Sequence, residues 1–166
     1  MGYTHYWTPK EAAPEKWNEF VAACKKLNKS LPQTSETAGG FHKDDMIVIR
    51  GWDGTGRPLF NKNVISFNGD SGRDLDHETF HIEAKRNNWS FCKTARKPYD
   101  LLVCACLIAA HEILDFEVKS DGGLEDWQPA IDFYLDTFYD FNGEETDKDI
   151  MEAILPEFLI KEMIGE

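Results

Sequence analysis

The feature that most constrains this 166-residue chain is an unbroken apolar run of ten residues, from Leu101 to Ala110. A helix that is apolar on every side is buried in a protein core, and ten residues are too few to cross a bilayer. Pro98 fits the first position of a helix, where its missing N–H has no intrahelical partner to lose. The sequence therefore predicts a buried central helix over about residues 98–114.

Strand and helix patterns surround this run without a regular β-α-β alternation, which is typical of an α+β domain. Strands are predicted at residues 2–7, 46–52, 64–68, 77–84 and 116–119, with 77–84 paired to 64–68. One helix is predicted from residue 14 and a second from about 126 to 141–143. A third is predicted from residue 146, with a break at Pro156. A loop is predicted at residues 28–40. We expect a mostly antiparallel sheet packed around the central helix, C-terminal helices, and one domain over residues 1–166.

The net charge of −12 is concentrated in the acidic C-terminal third. Residues 115–166 hold 16 acidic and 3 basic residues, whereas residues 1–114 are nearly neutral. Because such a segment repels phosphate backbones, direct binding to nucleic acid is not expected. The acidic third is explained by a solvated surface. A surface that imitates DNA and blocks a basic host enzyme is the alternative.

Three cations precede the predicted helix in a basic loop, residues 93–99: Lys93, Arg96 and Lys97. Free N–H groups at a helix N-terminus attract anions, and arginine and lysine both bind phosphate. Thr94 and Tyr99 add hydroxyl groups. The basic loop therefore predicts a site for a phosphorylated ligand. The alternative is that its cations pair with the acidic C-terminal third.

The aromatic first strand adds candidate contacts for a nucleotide base, because aromatic rings stack on bases. The remaining predicted ligand residues lie outside the basic loop: His5, Tyr6, Trp7, Asn68 and His77. Together these residues predict a non-catalytic protein that binds an anionic small molecule, most plausibly a nucleotide or cyclic nucleotide. No cofactor is expected.

Residues 77–81 match the pattern H-E-x-x-H. On a helix, His77 and His81 would share a face and hold zinc, and Glu78 would activate water. A third ligand at a recognised spacing is lacking, and the composition of the segment also favours a strand. We therefore predict no metal, and a metal-dependent hydrolase is the alternative.

Three motifs occur together: GYTHYW at residues 2–7, FNG at 67–69 with HETF at 77–80, and FCKTARKPYD at 91–100. This combination resembles a group of small, mostly uncharacterised proteins of phages and prophages. The resemblance covers the first two thirds of the chain and implies a virus-encoded protein in the bacterial cytoplasm. There a nucleotide-binding protein would act as a sponge against a host defence signal. No catalytic residue is implied.

The cysteines show no disulfide or zinc-pair spacing, which indicates reduced core residues of a cytoplasmic protein. They are Cys24, Cys92, Cys104 and Cys106. The first residues lack a signal-peptide pattern, and no membrane partner is expected. Because the aromatic residues of the C-terminal helices do not all fit one stripe, we expect apolar surface that holds a symmetric homo-oligomer.

Overall fold

The computed structural model describes residues 2–34, 46–85, 88–139 and 146–165, and these contain five α-helices, two short 3₁₀ helices and six strands. The helices are α1 (Pro14–Ser30), α2 (Asp100–Leu114), α3 (Leu124–Phe138), α4 (Thr146–Ile154) and α5 (Glu157–Met163). The strands are β1 (Thr4–Thr8), β2 (Leu59–Phe60), β3 (Val64–Phe67), β4 (Phe80–Glu83), β5 (Ser90–Lys93) and β6 (Glu117–Ser120). Helices combined with antiparallel sheets confirm the predicted α+β class.

The six strands form two three-stranded antiparallel sheets, in the orders β5-β1-β6 and β2-β3-β4. In the first sheet β1 is central, and Tyr6 lies opposite Phe91 of β5 and Lys119 of β6. In the second sheet β3 is central and pairs with β4, from Val64 opposite Glu83 onward. This register confirms the predicted pairing of the two segments.

The predicted buried central helix is confirmed as α2. All ten residues from Leu101 to Ala110 are buried, and α2 contacts α1, α3, α4 and β6. Because neighbours cover it on every side, it needs no polar face. One hydrophobic cluster around it draws residues from both sheets and from α1 to α5. No helix in the described parts of the chain is both long and apolar enough to cross a membrane.

The predicted position of Pro98 is wrong, because α2 begins at Asp100 with Tyr99 as the N-cap residue. Ala95 and Arg96 both have positive φ angles, 53° and 58°. This backbone conformation is unfavourable for non-glycine residues and turns the chain before the helix can begin. The first helical residue is consequently a carboxylate, which itself suits the positive end of the helix.

The predicted strand at residues 46–52 is also wrong. The structure shows isolated bridges at Met46 and Arg50 instead of a continuous ladder. The amide of Gly51 donates to the carbonyl oxygen of Thr55, so the chain turns back there. A segment with strand composition forms a strand only where a partner strand lies beside it.

Residues 90–93 form β5, whose last residue, Lys93, was predicted to lie in the basic loop. Cys92 is buried, whereas Phe91 and Lys93 on either side of it are exposed. This alternation is that of a half-buried strand. The structure therefore places Lys93 in a sheet and not in a loop.

The C-terminal helices follow the prediction. A helix begins at Leu124, and Pro156 separates α4 from α5 because proline interrupts helical hydrogen bonding. α3 ends at Phe138, before the predicted end at residues 141–143, which lie outside the described residues. The predicted loop at 28–40 begins too early, because α1 runs to Ser30, and residues 35–40 of that loop lie outside the described residues.

Candidate functional site

The ligand residues predicted from the first strand lie on opposite faces of β1. Trp7 is 2% exposed and packs against Phe80, with ring centroids 5.2 Å apart. Tyr6 lies on the opposite face, is partly exposed, and stacks on Trp89 with centroids 5.8 Å apart. Trp7 is therefore a core residue, whereas the Tyr6 ring lies at the protein surface.

The inner face of β1 meets the start of α2 in a buried polar cluster. His5 is fully buried. Its Nε2 atom lies 2.7 Å from Asp100 Oδ1, and its Nδ1 atom lies 2.8 Å from Ser120 Oγ. Asp100 Oδ1 also accepts a 2.6 Å hydrogen bond from Thr94, and Cys104 donates through Sγ to Asp100 Oδ2 at 3.6 Å. We call His5, Asp100 and Cys104 the β1–α2 cluster.

The environment determines the ionisation of this cluster. Burial by itself would raise the pKa of Asp100, but the charge and hydrogen bond of His5, with hydrogen bonds from Thr94 and Cys104, hold it below its ordinary value. Burial raises the pKa of the Cys104 thiol well above its ordinary value, and the charge of Asp100 raises it further. Asp100 is therefore ionised at neutral pH, and Cys104 is not an activated nucleophile.

Arg96 of the basic loop binds the acidic C-terminal third. Its Nη1 atom donates to Asp126 Oδ1 at 2.5 Å, and its guanidinium lies 3.9 Å from the centroid of the Tyr3 ring. Burial would raise the pKa of Asp126, but the hydrogen bond from Arg96 holds it below its ordinary value. This pairing is the alternative that the charge distribution left open. A ligand phosphate would have to displace Asp126 from Arg96.

Other groups of the basic loop attach it to neighbouring segments. Lys97 donates through Nζ to the backbone oxygen of Asp74 at 2.8 Å. The buried Tyr99 donates its hydroxyl to the backbone oxygen of Glu78 at 2.5 Å. The hydroxyl of Thr94 is also buried, against Asp100. The predicted ligand groups of this loop therefore point in different directions, and a phosphate site formed by them stays a prediction.

Asn68 stabilises the loop between β3 and β4 through its side-chain hydrogen bonds. Its Nδ2 atom donates to His77 O at 2.9 Å and to Thr79 Oγ1 at 3.0 Å. Its Oδ1 atom accepts from the amides of Gly69 and His77 at 2.7 and 3.1 Å. These four hydrogen bonds use the full capacity of an asparagine amide. The structure thus brings Asn68 and His77 together as parts of a turn.

The H-E-x-x-H segment does not adopt the helical geometry that zinc binding by this motif requires. His77 precedes β4 and His81 lies within it. The ring of His81 lies 3.1 Å from Ser66 Oγ and 3.1 Å from Glu83 Oε1. Glu78 accepts a 2.8 Å hydrogen bond from the amide of Lys93. The three side chains of the motif are therefore not arranged around one point.

The outer face of the first sheet exposes three aromatic rings, which we call the aromatic face: Tyr6, Trp89 and Phe91. Trp89 is 58% exposed and Phe91 is 44% exposed. The Trp89 and Phe91 centroids are 5.5 Å apart, and Tyr6 stacks on Trp89 with an interplanar angle of 21°. Contiguous exposed rings of this kind mark interaction sites.

Two lysines flank the aromatic face. The Nζ atom of Lys93 lies 6.0 Å from the centroid of the Phe91 ring, within the range of a cation–π contact. Lys119 lies opposite Tyr6 on β6, with its Nζ atom 3.4 Å from Glu117. The face therefore combines aromatic rings with two positive charges, one of which is paired with Glu117.

Sequence reasoning missed most of the β1–α2 cluster. Asp100 and Cys104 have the spacing that places two side chains on one side of a helix, but their partners His5 and Ser120 are remote in sequence. Within the described ranges, this is the one group of three potential metal ligands whose donor atoms all lie within 4.8 Å of one another. From its sequence pattern, Cys104 is predicted only to be a buried, reduced core residue.

Comparison of the chain with protein-family models, with curated proteins and with solved structures finds no match. The resemblance of its motifs to phage proteins accordingly stays a prediction.

Proposed function

We propose that this protein binds a nucleotide or cyclic nucleotide on the aromatic face and does not turn it over. The observation that supports the proposal is the exposure of Trp89 and Phe91 side by side, in contact with Tyr6. Each base that stacks on an aromatic side chain contributes about 1–3 kcal/mol of binding free energy. Stacking tolerates any base, so the face selects a class of ligand and not one sequence.

The flanking lysines supply the contacts for phosphate. Lys93 and Lys119 are exposed on either side of the rings, and a lysine ammonium is a mobile point charge that suits a phosphate of variable position. Tyr6 is held in place because its hydroxyl donates to Asp121 Oδ1 at 3.0 Å. This proposal places the ligand on the first sheet, whereas the sequence predicted a site at the basic loop. Tyr6 and Lys93 are ligand residues in both hypotheses.

Binding without turnover agrees with the chemistry of these groups, since rings and ammonium groups hold a nucleotide but do not activate water. A protein of this kind acts by lowering the free concentration of its ligand. That is the sponge role, directed against a host defence signal, that the motif resemblance implies.

The test is a calorimetric titration with nucleotides and cyclic nucleotides, followed by chromatography of the recovered ligand. Trp89→Ala should weaken binding by about ten- to a hundredfold, the factor that corresponds to the loss of one stacking contact. Trp52→Ala is the matched control, because Trp52 is 59% exposed but lies outside the aromatic face. The control should bind like the wild type, and the ligand should be recovered intact.

Equal affinity in Trp89→Ala and the wild type would refute the stacking site. Recovery of hydrolysed ligand would refute binding without turnover and favour an enzyme. Binding of a basic host protein without any nucleotide binding would favour the acidic DNA-mimic alternative.

The predicted homo-oligomer is tested with the same variants. If a symmetric dimer forms through the aromatic face, light scattering will show a mass above 19.0 kDa for the wild type and a monomer for Trp89→Ala. A dimer that persists in Trp89→Ala would place the interface elsewhere.

A further inference from the structure

The β1–α2 cluster has the spacing of a metal site. Nε2 of His5 lies 2.7 Å from Asp100 Oδ1 and 3.5 Å from Cys104 Sγ, and this sulfur lies 3.6 Å from Asp100 Oδ2. In a tetrahedral site with metal–ligand bonds of about 2.0–2.3 Å, ligand atoms are separated by about 3.3–3.7 Å. Both separations to sulfur match. The shorter one widens when a metal replaces the proton between His5 and Asp100.

The elements around the cluster hold these ligands in position. Asp100 and Cys104 are one turn apart on α2 and therefore project from one side of the helix. The second ring nitrogen of His5 lies 2.8 Å from Ser120 Oγ, and Thr94 donates to Asp100 at 2.6 Å. Metal-binding histidines usually engage the other ring nitrogen in this way, which orients the ligating nitrogen.

Two unpartnered polar groups belong to rings that pack against His5. Among the described residues, the buried side-chain polar atoms without a hydrogen-bond partner are Tyr3 Oη and Trp127 Nε1. Both rings pack edge-on against His5, with centroid distances of 4.9 and 5.1 Å. Buried groups left without a partner are rare in native proteins and indicate an ion, water or ligand nearby. The packing of these two rings against His5 is an observation separate from the ligand distances.

We propose that His5, Asp100 and Cys104 bind one divalent transition metal ion, with zinc favoured, and that the fourth position is taken by water or a ligand group. Imidazole and thiolate ligands select zinc over magnesium or calcium, which prefer sets of oxygen ligands. Binding removes the thiol proton of Cys104 and requires Nε2 of His5 to carry no proton, so that the neutral imidazole keeps its proton on Nδ1, toward Ser120 Oγ. This proposal departs from the sequence-based prediction of no metal, and it does not depend on nucleotide binding.

The experiment uses the full chain after treatment with a chelator, titrated with Co²⁺ as a spectroscopic probe and then with Zn²⁺. One Co²⁺ per chain should give a thiolate-to-cobalt absorption band in the near ultraviolet and the visible bands of tetrahedral cobalt. Zn²⁺ should abolish both. A folded wild-type protein without these bands, and without zinc retained on dialysis, would overturn the proposal.

Three variants locate the site. Cys104→Ala should lose the thiolate band, whereas Cys106→Ala, which removes an equally buried thiol from the same helix, should keep it. Ser120→Ala should keep the band but weaken zinc binding by about 10- to 100-fold, the usual effect of removing a contact that orients a ligand. Circular dichroism verifies folding, and Cys104→Ser replaces the alanine variant if that variant is unfolded. A band that survives the loss of the Cys104 sulfur would exclude the β1–α2 cluster.

Discussion

The inner and outer faces of β1 differ in how firmly their side chains are held. On the inner face, His5 is enclosed and both of its ring nitrogens have polar partners, Asp100 and Ser120. On the outer face, Tyr6 is partly exposed and rests against the exposed Trp89. A substitution inside leaves buried groups without partners, whereas one outside removes contact surface. Neighbouring residues of the motif GYTHYW therefore differ: His5 belongs to the buried β1–α2 cluster, whereas Tyr6 belongs to the aromatic face, where we propose that a ligand binds.

The largest expected change in stability distinguishes two adjacent residues of β1, one on each face. Trp7→Ala removes a buried ring from the core and should lower the free energy of unfolding by about 3–5 kcal/mol. Tyr6→Ala removes a cross-strand surface contact and should cost less than about 1 kcal/mol. Urea unfolding monitored by circular dichroism measures both values. If both variants lost the same free energy of unfolding, the two faces of β1 would not differ in their contribution to stability.

A smaller effect is expected within the β1–α2 cluster. Asp100→Asn preserves the side-chain volume but removes the charge that accepts hydrogen bonds from Thr94 and His5. Hydrogen bonds to charged groups contribute about 1.5–3 kcal/mol, so the metal-free protein should lose about that much stability in urea. Asp132→Asn, at an exposed position on α3, is the control and should leave the unfolding midpoint nearly unchanged. An equally stable Asp100→Asn protein would mean that the buried network contributes no stability.

The smallest effect concerns Arg96 of the basic loop. Arg96→Ala breaks the ion pair with Asp126, and because the Arg96 side chain is 53% exposed, the expected loss is only about 0.5–1 kcal/mol at neutral pH. The pKa of Asp126 is below its ordinary value in the folded state, so this stabilisation is present at neutral pH and disappears as the pH falls through that lowered pKa.

Urea unfolding of the wild type and Arg96→Ala measures this difference at pH 7 and at a series of values down to about pH 2, because the carboxyl group of Asp126 titrates below the ordinary value of about 4. The cation–π contact of Arg96 with Tyr3 does not titrate in this range. It therefore adds a small difference in stability between the two proteins that is the same at every pH. If Arg96→Ala instead weakens nucleotide binding tenfold with unchanged stability, the basic loop is the ligand site and the aromatic face is not.

The sequence determined those features that depend on local pattern. A ten-residue apolar run has no polar face to present to water, so α2 had to be buried whatever surrounded it. Pro156 interrupts the C-terminal helical region because it lacks an N–H group. The pairing of β3 with β4 followed from two nearby segments of strand composition. By contrast, residues 46–52 have a similar composition but form only isolated bridges, through Met46 and Arg50, in the part of the chain that the structure describes.

Only the tertiary structure decided which residues form a site. Strand and helix periods place His5 on one face of β1 and Asp100 with Cys104 on one side of α2, but neither period states that these faces meet. In the same way, the sequence supplied the cations of the basic loop, whereas Asp126 on α3 determined where Arg96 points. Contacts between residues about a hundred positions apart depend on how whole elements pack, and that packing is a property of the complete fold.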